Sequence, residues 1–360
     1  MLSYQHKLRA AAVQAEPVWL NADKTIGKAV SLIEQASKKG AKIVAFPEVF
    51  IPGYPWWICL GNLPWGHKFI VPYHENSLQL RDVRMAKLQE AAKRHSIAVI
   101  MGYSERDGAS RYMSQVFIDA DGTIVGNRRK LKPTSAERMI YGEGDGSDFF
   151  VHDFEFGRVG ALNCWEHFQP LSKMAMYSLH EQIHVASWPS MLVDEPGAKQ
   201  SSASVNASLT VTCSYALEGS CFVLCATQVY GKAAVDAFCD TEDKKHLFAL
   251  GGGFARIFGP GGATLVDPLS HDEEGIVCAD IDLAEILEAK ASADPVGHYS
   301  RGDALSLLIN RNGRAPVRLL DENDRLELPL RYFPRSAPTN GQTSIPLAET
   351  SEGSRAGEKP

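Results

Sequence analysis

Three residues able to do covalent chemistry stand just beyond apolar runs that read as buried strands: Glu48 after 42–46, Lys130 after 123–129 and Cys164 after 159–163. In sheet proteins, ligand sites gather at the carboxyl ends of strands. A carboxylate, an ammonium and a thiol converging there would supply a base, an electrostatic stabiliser and a nucleophile. The thiol needs such neighbours, because an ordinary cysteine with a pKa of ~8.5 is mostly protonated at neutral pH and a nearby base or cation raises its thiolate fraction. Each residue also has a plainer reading. Cys164 can be an inert core cysteine, Glu48 a cap or loop carboxylate, and Lys130 part of a solvated basic strand end, Arg128-Arg129-Lys130-Leu131-Lys132. Spacing alone leaves both readings open.

The elements that must position these residues follow an alternating pattern. Leu8 to Ala15 reads as a first strand. Asn21 or Asp23 can cap a helix whose Ile26, Ala29, Val30 and Ile33 form one apolar stripe, with Gly40 as a left-handed stop before the strand at 42–46. A helix through Met85, Leu88 and Ala92 leads into a strand at 97–103. Runs at 115–120 and 123–129 flank Asp121-Gly122, a dipeptide suited to the positive φ angles of a tight hairpin. Beyond 159–163 come a helix with Pro170 near its first turn, a strand at 183–187, a helix near 202–217, and strands at 221–226, 254–258 and 275–281. This predicts one α/β or layered α+β domain with helices outside sheet layers, and no linker before about residue 312. Residues 336–360 hold only Ile345 and Leu347 as large apolar side chains, so they are expected to form a disordered tail after an extension at 313–335.

Several stretches together resemble the nitrilases of the carbon-nitrogen hydrolase superfamily. They are Phe46-Pro47-Glu48-Val49-Phe50 with Pro52-Gly53-Tyr54-Pro55, Arg129 to Thr134, Glu137-Arg138 with Tyr141 to Gly146, Asn163-Cys164-Trp165-Glu166-His167, and Asp294 to Arg301. The likeness spans about residues 6 to 312. It implies a layered α+β fold, an αββα sandwich, in a catalytic domain of residues 1–312. It carries the catalytic set onto Glu48, Lys130 and Cys164, with a second glutamate at Glu137. Substrate contacts are expected from Tyr54, Tyr141, Trp165, His167 and Trp188, and Trp56 and Trp57 are further candidates for an apolar lining. The implied chemistry is nitrile hydrolysis through a cysteine thioimidate and thioester, with no metal or organic cofactor. Dimers that extend into spiral homo-oligomers are implied as well. One departure stands at Ser135-Ala136, where the family often has His-Val before the Glu-Arg pair; serine is smaller and does not titrate. An amidase of the same superfamily is the near alternative, and a catalytically silent scaffold is the alternative of another class.

Other signals compete less well. His180-Glu181-Gln182-Ile183-His184 matches the H-E-x-x-H zinc pattern, but 183–187 alternates towards a strand. In a strand, positions i and i+4 lie about 13 Å apart, too far to share one zinc. Gly142 to Gly146 follows no strand-helix fingerprint and reads as a loop near the site rather than a phosphate cradle. With 37 Lys and Arg against 43 Asp and Glu, the net charge of −6 argues against a nucleic-acid partner. No run of about 18 apolar residues occurs, so no membrane partner is expected. The first fifteen residues lack the apolar core of a secretion signal, and seven scattered cysteines suit a reducing compartment. The cytoplasm is the expected location.

Overall fold

The computed structural model describes residues 7–194, 199, 201–246, 250–313, 319–320 and 326–327. The expected tail at 336–360 lies outside the described residues. The chain divides into two compact units, residues 1–315 and 316–360. In the second, Leu319–Leu320 pairs antiparallel with Leu326–Glu327.

The strands of the first unit are β1 (Lys7–Ala15), β2 (Ala41–Ala45), β3 (Ala98–Asp107), β4 (Ser110–Ile118), β5 (Ile124–Arg129), β6 (His152–Phe154), β7 (Gly157–Asn163), β8 (Ile183–Trp188), β9 (Phe222–Gln228), β10 (Arg256–Phe258) and β11 (Gly275–Asp282). One half of the sheet runs β5-β4-β3-β2-β1, with β11 antiparallel on β1. The other runs β6-β7-β8-β9, with β10 on β9. The halves join where β1 meets β9, over the pairs Gln14 with Thr227 and Ala15 with Gln228.

Period-two alternation sorts the side chains into layers. Ala10 and Ala12 of β1, Ile43 of β2 and Ile100 of β3 pack against Val159, Val185 and Leu224 from the other half. The intervening Ala11, Val13, Val44 and Val99 face outward against α1 (Ala22–Lys38) and, beyond α2 (Leu63–Asn76), α3 (Val83–His95). On the opposite side, Leu162, Ala186 and Val223 meet Tyr177 of α4 (Pro170–Tyr177) and Tyr215 and Ala216 of α5 (Val205–Gly219). The result is an αββα sandwich, as the family resemblance implies. Burying one aliphatic side chain contributes roughly 1.5–3 kcal/mol, against about 0–1 kcal/mol for an exposed ion pair. The three apolar layers therefore set the cohesion.

Local chemistry explains where elements start and stop. Asn21 rather than Asp23 caps α1, its side chain accepting the Lys24 N–H at 3.0 Å. In the hairpin between β4 and β5 only Gly122 has a positive φ, +87°. Asp121 serves instead through its carboxylate, which accepts the Thr123 N–H at 2.7 Å. The strand expected at 254–258 shortens to Arg256–Phe258, because Phe254 N–H bonds to Thr227 Oγ1 and Ala255 N–H to Gln14 Oε1 instead of a ladder partner. The helix expected from 202 begins at Val205 behind its cap, Ser204. Helix α2 is absent from the sequence expectations because Pro64, Gly66 and Pro72 interrupt its pattern. Among the described residues no helix is long and apolar enough to cross a membrane.

Candidate active site

Glu48, Lys130, Glu137 and Cys164 come together in the interior, with exposures of 0, 1, 1 and 4 %. Glu48 lies just past β2. Its N–H donates to the Trp188 carbonyl at the end of β8 (3.3 Å), and its own carbonyl accepts from Gln228 Nε2 at the end of β9 (2.6 Å). Gly102 of β3 permits this crowding: a Cβ there would sit 2.1 Å from the Pro47 carbonyl oxygen and 3.0 Å from Glu48 Cα. Lys130 continues β5, its N–H held by the Met113 carbonyl at 2.7 Å and its carbonyl by Gly144 N–H at 2.8 Å. The glycine-rich stretch is thus a loop against the site. Cys164 closes β7 with φ +46°, a left-handed elbow that opens a short 3-10 turn at Cys164–Phe168.

The Lys130 ammonium bridges two carboxylates, Glu48 Oε1 at 2.9 Å and Glu137 Oε2 at 2.8 Å. Glu137 sits in a 3-10 turn, Ser135–Met139, where its Oε2 also accepts the Thr134 N–H at 2.5 Å. Its Oε1 takes the Tyr54 hydroxyl at 2.7 Å, so both oxygens are engaged. The second oxygen of Glu48, Oε2, is buried without a hydrogen-bond partner. Ser135, at the position where the resemblance expects an imidazole, adopts φ +47° at the start of the same turn.

Burial dominates the electrostatics. It pushes the Glu48 carboxyl up to about 8, against the pull of Lys130 and with the help of Glu137. Burial likewise raises the Cys164 thiol; Glu48 and Glu137 add to that, while Lys130 and the Trp165 N–H favour the thiolate. Lys130 stays cationic: its desolvation is outweighed by Glu137 and Glu48. A thiol, a reluctant carboxylate and a fixed cation in one dry site have the chemistry to serve as a nucleophile, a base and a charge stabiliser.

The basic run around Lys130 is not a solvated strand end. Arg128 is fully buried and Arg129 turns to Glu105, while Lys132 lies exposed beside Glu143. Arg128 and Glu166 were not singled out by sequence reasoning, yet they join the strand ends that carry Lys130 and Cys164. The available signal was the glutamate inside Cys164-Trp165-Glu166-His167, which has no solvent to face once β7 is buried.

The expected substrate contacts divide. Tyr54 touches the site through Glu137, and Trp188 through the carbonyl that holds Glu48. The Trp188 ring is fully buried and stacks on His167, with centroids 5.3 Å apart. Tyr141 pairs its hydroxyl with that of Tyr73. Trp165 is half-buried against Phe168. His167 is a correction: it has no exposure, and both ring nitrogens bond to protein atoms, so it stands behind the nucleophile rather than over a substrate. The zinc-like motif also takes another form. Helix α4 ends at Tyr177, His180 sits in a turn with φ +55°, and His184 lies in β8, so the two imidazoles do not share a helical face.

Residues 9–291 match the carbon-nitrogen hydrolase family, and the chain belongs to that family. Within it, the chain is 58% identical over 329 residues to an aliphatic nitrilase of Rhodococcus rhodochrous, covering 91% of this chain and 85% of that one. A second aliphatic nitrilase of the same organism is 55% identical over 318 residues, covering 88% and 86%. Among solved structures, a carbon-nitrogen hydrolase from Helicobacter pylori G27 superposes with a TM-score of 0.65 at 22% identity, covering 83% of this chain and 97% of that one. That likeness bears out the αββα fold.

Proposed function

We propose that the chain is a nitrilase that hydrolyses organic nitriles, aliphatic ones foremost, to carboxylic acids and ammonia. The observation that carries the chemistry is the unpartnered Glu48 Oε2, a buried carboxylate oxygen left over once Lys130 has taken Oε1. Identity above 50% to relatives named aliphatic nitrilases supports the substrate class.

In this reading, Glu48 accepts the Cys164 proton as the sulfur forms its bond to the nitrile carbon. The nitrile nitrogen takes up that proton, giving a thioimidate. A first water adds to the same carbon and ammonia leaves, producing a thioester. A second water, its proton again drawn by Glu48, releases the acid and restores the thiol. Lys130 stabilises the negative charge that develops first on nitrogen and then on oxygen. Glu137 touches none of the reacting atoms here: with both oxygens engaged by Lys130, Thr134 and Tyr54, it is a positioning residue that holds Lys130 in line.

The deciding measurement is ammonia release from aliphatic, aromatic and arylacetonitrile substrates beside the corresponding amides. Turnover of aliphatic nitriles ahead of all amides is expected; turnover of amides alone would replace this reading with an amidase. A homo-oligomer built of dimers, extending as a spiral where the contact does not close, rests on the resemblance; a monomer by light scattering would refute it. Seven cysteines without a disulfide support a cytoplasmic location.

A further inference from the structure

Behind the nucleophile runs a buried chain of polar groups that the reaction above does not use. His167 Nδ1 lies 2.7 Å from the Cys164 carbonyl oxygen, and His167 Nε2 lies 3.0 Å from His184 Nε2. His184 Nδ1 lies 2.9 Å from Glu181 Oε2, and the Tyr215 hydroxyl donates to Glu181 Oε1. Exposures are 0 % for both histidines and 3 % for Glu181. The rings are locked by stacking, His184 on Tyr215 at 3.8 Å and His167 on Trp188 at 5.3 Å. Gly160 of β7 makes the space, since a Cβ there would stand 2.2 Å from Glu181 Oε2. Glu181 and His184 are the two members of the zinc-like motif that the structure brings together.

The protons in this chain are fixed by its ends. A carbonyl oxygen only accepts, so His167 must carry its proton on Nδ1 and donate to Cys164. Burial and the neighbouring His184 hold His167 neutral. Its Nε2 is therefore bare and accepts from His184 Nε2–H. The third proton lies between His184 Nδ1 and Glu181 Oε2, as an imidazolium facing a carboxylate or an imidazole facing a carboxylic acid. Either way three protons serve three hydrogen bonds and the net charge is zero, which suits a dry interior.

We propose that His167, His184 and Glu181 form a positioning relay that clamps the Cys164 carbonyl and so fixes the strained elbow from which the nucleophile projects. The clamped peptide is the one whose other edge carries the Trp165 N–H, a group that favours the Cys164 thiolate. Hydrogen bonding to the carbonyl polarises that same amide and strengthens its N–H as a donor. The relay deepens the nitrilase reading, but its tautomer and alkylation tests do not depend on nitrile turnover.

The first test uses the intact enzyme labelled with 15N-histidine. His167 is expected in the Nδ1–H tautomer throughout the folded pH range, and the Nε2–H tautomer would overturn the relay. The second test measures Cys164 alkylation by iodoacetamide, with kcat and KM alongside. His167→Phe keeps the stacking on Trp188 but removes the donor; it should slow alkylation and kcat together by about 10- to 100-fold, the range for losing one partner of a buried hydrogen bond, with KM within about twofold. Glu181→Gln restores the pattern, its amide N–H donating to His184 and its oxygen accepting from Tyr215, and should stay within about threefold of wild type. Wild-type alkylation in folded His167→Phe, or Glu181→Gln as slow as His167→Phe, would overturn the proposal. An intact tautomer and rapid alkylation without nitrile turnover would instead defeat the nitrilase reading and leave the relay standing.

Discussion

Arg128 grips Glu166 with two hydrogen bonds, of 2.8 and 2.7 Å, although neither side chain reaches solvent. The same carboxylate accepts the Asn163 N–H at 2.8 Å and the Leu131 N–H at 2.9 Å. One glutamate thus fastens the residue before Cys164 to the residue after Lys130, tying the thiol's strand end to the ammonium's. Glu166→Ala leaves the Arg128 guanidinium buried and unmatched, so a loss of about 3–5 kcal/mol is expected. Lys132→Ala, which breaks the exposed pair with Glu143, should cost only about 0–1 kcal/mol. Urea unfolding of the two variants makes the comparison, and equal losses would show that Glu166 does not join the strand ends.

Cys164→Ala should abolish turnover with no change in the thermal unfolding midpoint beyond a few degrees. In the wild type, alkylation followed by peptide mass mapping should mark Cys164 ahead of Cys221 and Cys225, which share its burial but lie outside the reach of Lys130. Residual full activity in Cys164→Ala would end the covalent mechanism.

Glu48 sets a pH dependence with two opposite signs. Its folded value, about 8, exceeds the ordinary carboxylate range, so the folded protein binds this proton more tightly than the unfolded chain. The stability that comes from this proton is present at low pH and is lost as pH rises towards 8. Activity needs the carboxylate, so kcat/KM should climb over that same interval. A profile of kcat/KM that is flat from pH 5 to 8 would contradict Glu48 as the base.

Gly102→Ala tests the close approach of β3 to the catalytic loop. The added methyl meets backbone rather than a flexible side chain, so Pro47 and Glu48 must shift. A loss of about 1–3 kcal/mol is expected, with kcat falling further than stability because the base moves. Unchanged kcat would mean that the loop yields without carrying Glu48 along.

Exhaustive chelation should leave turnover unaltered. The expectation rests on Glu181 and His184 being bonded to each other and to His167, with His180 on a separate turn. Activity lost on chelation and restored by zinc would require a different pairing of these residues.

The strands were legible in the sequence because burial leaves apolar runs, whereas spacing offered Glu48, Lys130 and Cys164 only as candidates and the resemblance singled them out. Short apolar runs mark β1, β2 and β7, and the polar residue just beyond a run stands out against it. Glu137 came through resemblance, and its engagement with Tyr54 and Lys130 is a matter of three dimensions. What stayed hidden was pairing at long range. Arg128 looks like any basic residue in a basic run until its partner, far along the chain, is placed beside it. His167 and His184 mislead for the same reason, since a histidine beside a nucleophile and a histidine in a metal-like motif give no hint that they face one another. Helix α2 was obscured by prolines that its first turn and its exposed face tolerate.

The hydrogen bond from Glu48 N–H to the Trp188 carbonyl spans the two halves of the sandwich, and the proposed catalytic trio is divided in the same way. Glu48 and Lys130 hang from β2 and β5, whereas Cys164 hangs from β7. Neither half alone holds a nucleophile together with its base. Refolding should therefore restore secondary structure before it restores turnover, because the proposed catalytic set is assembled only when the sheets dock. An intermediate with one half formed would hold the Cys164 thiol without its proposed base and cation, so nitrile turnover is expected to return only once the sandwich has closed.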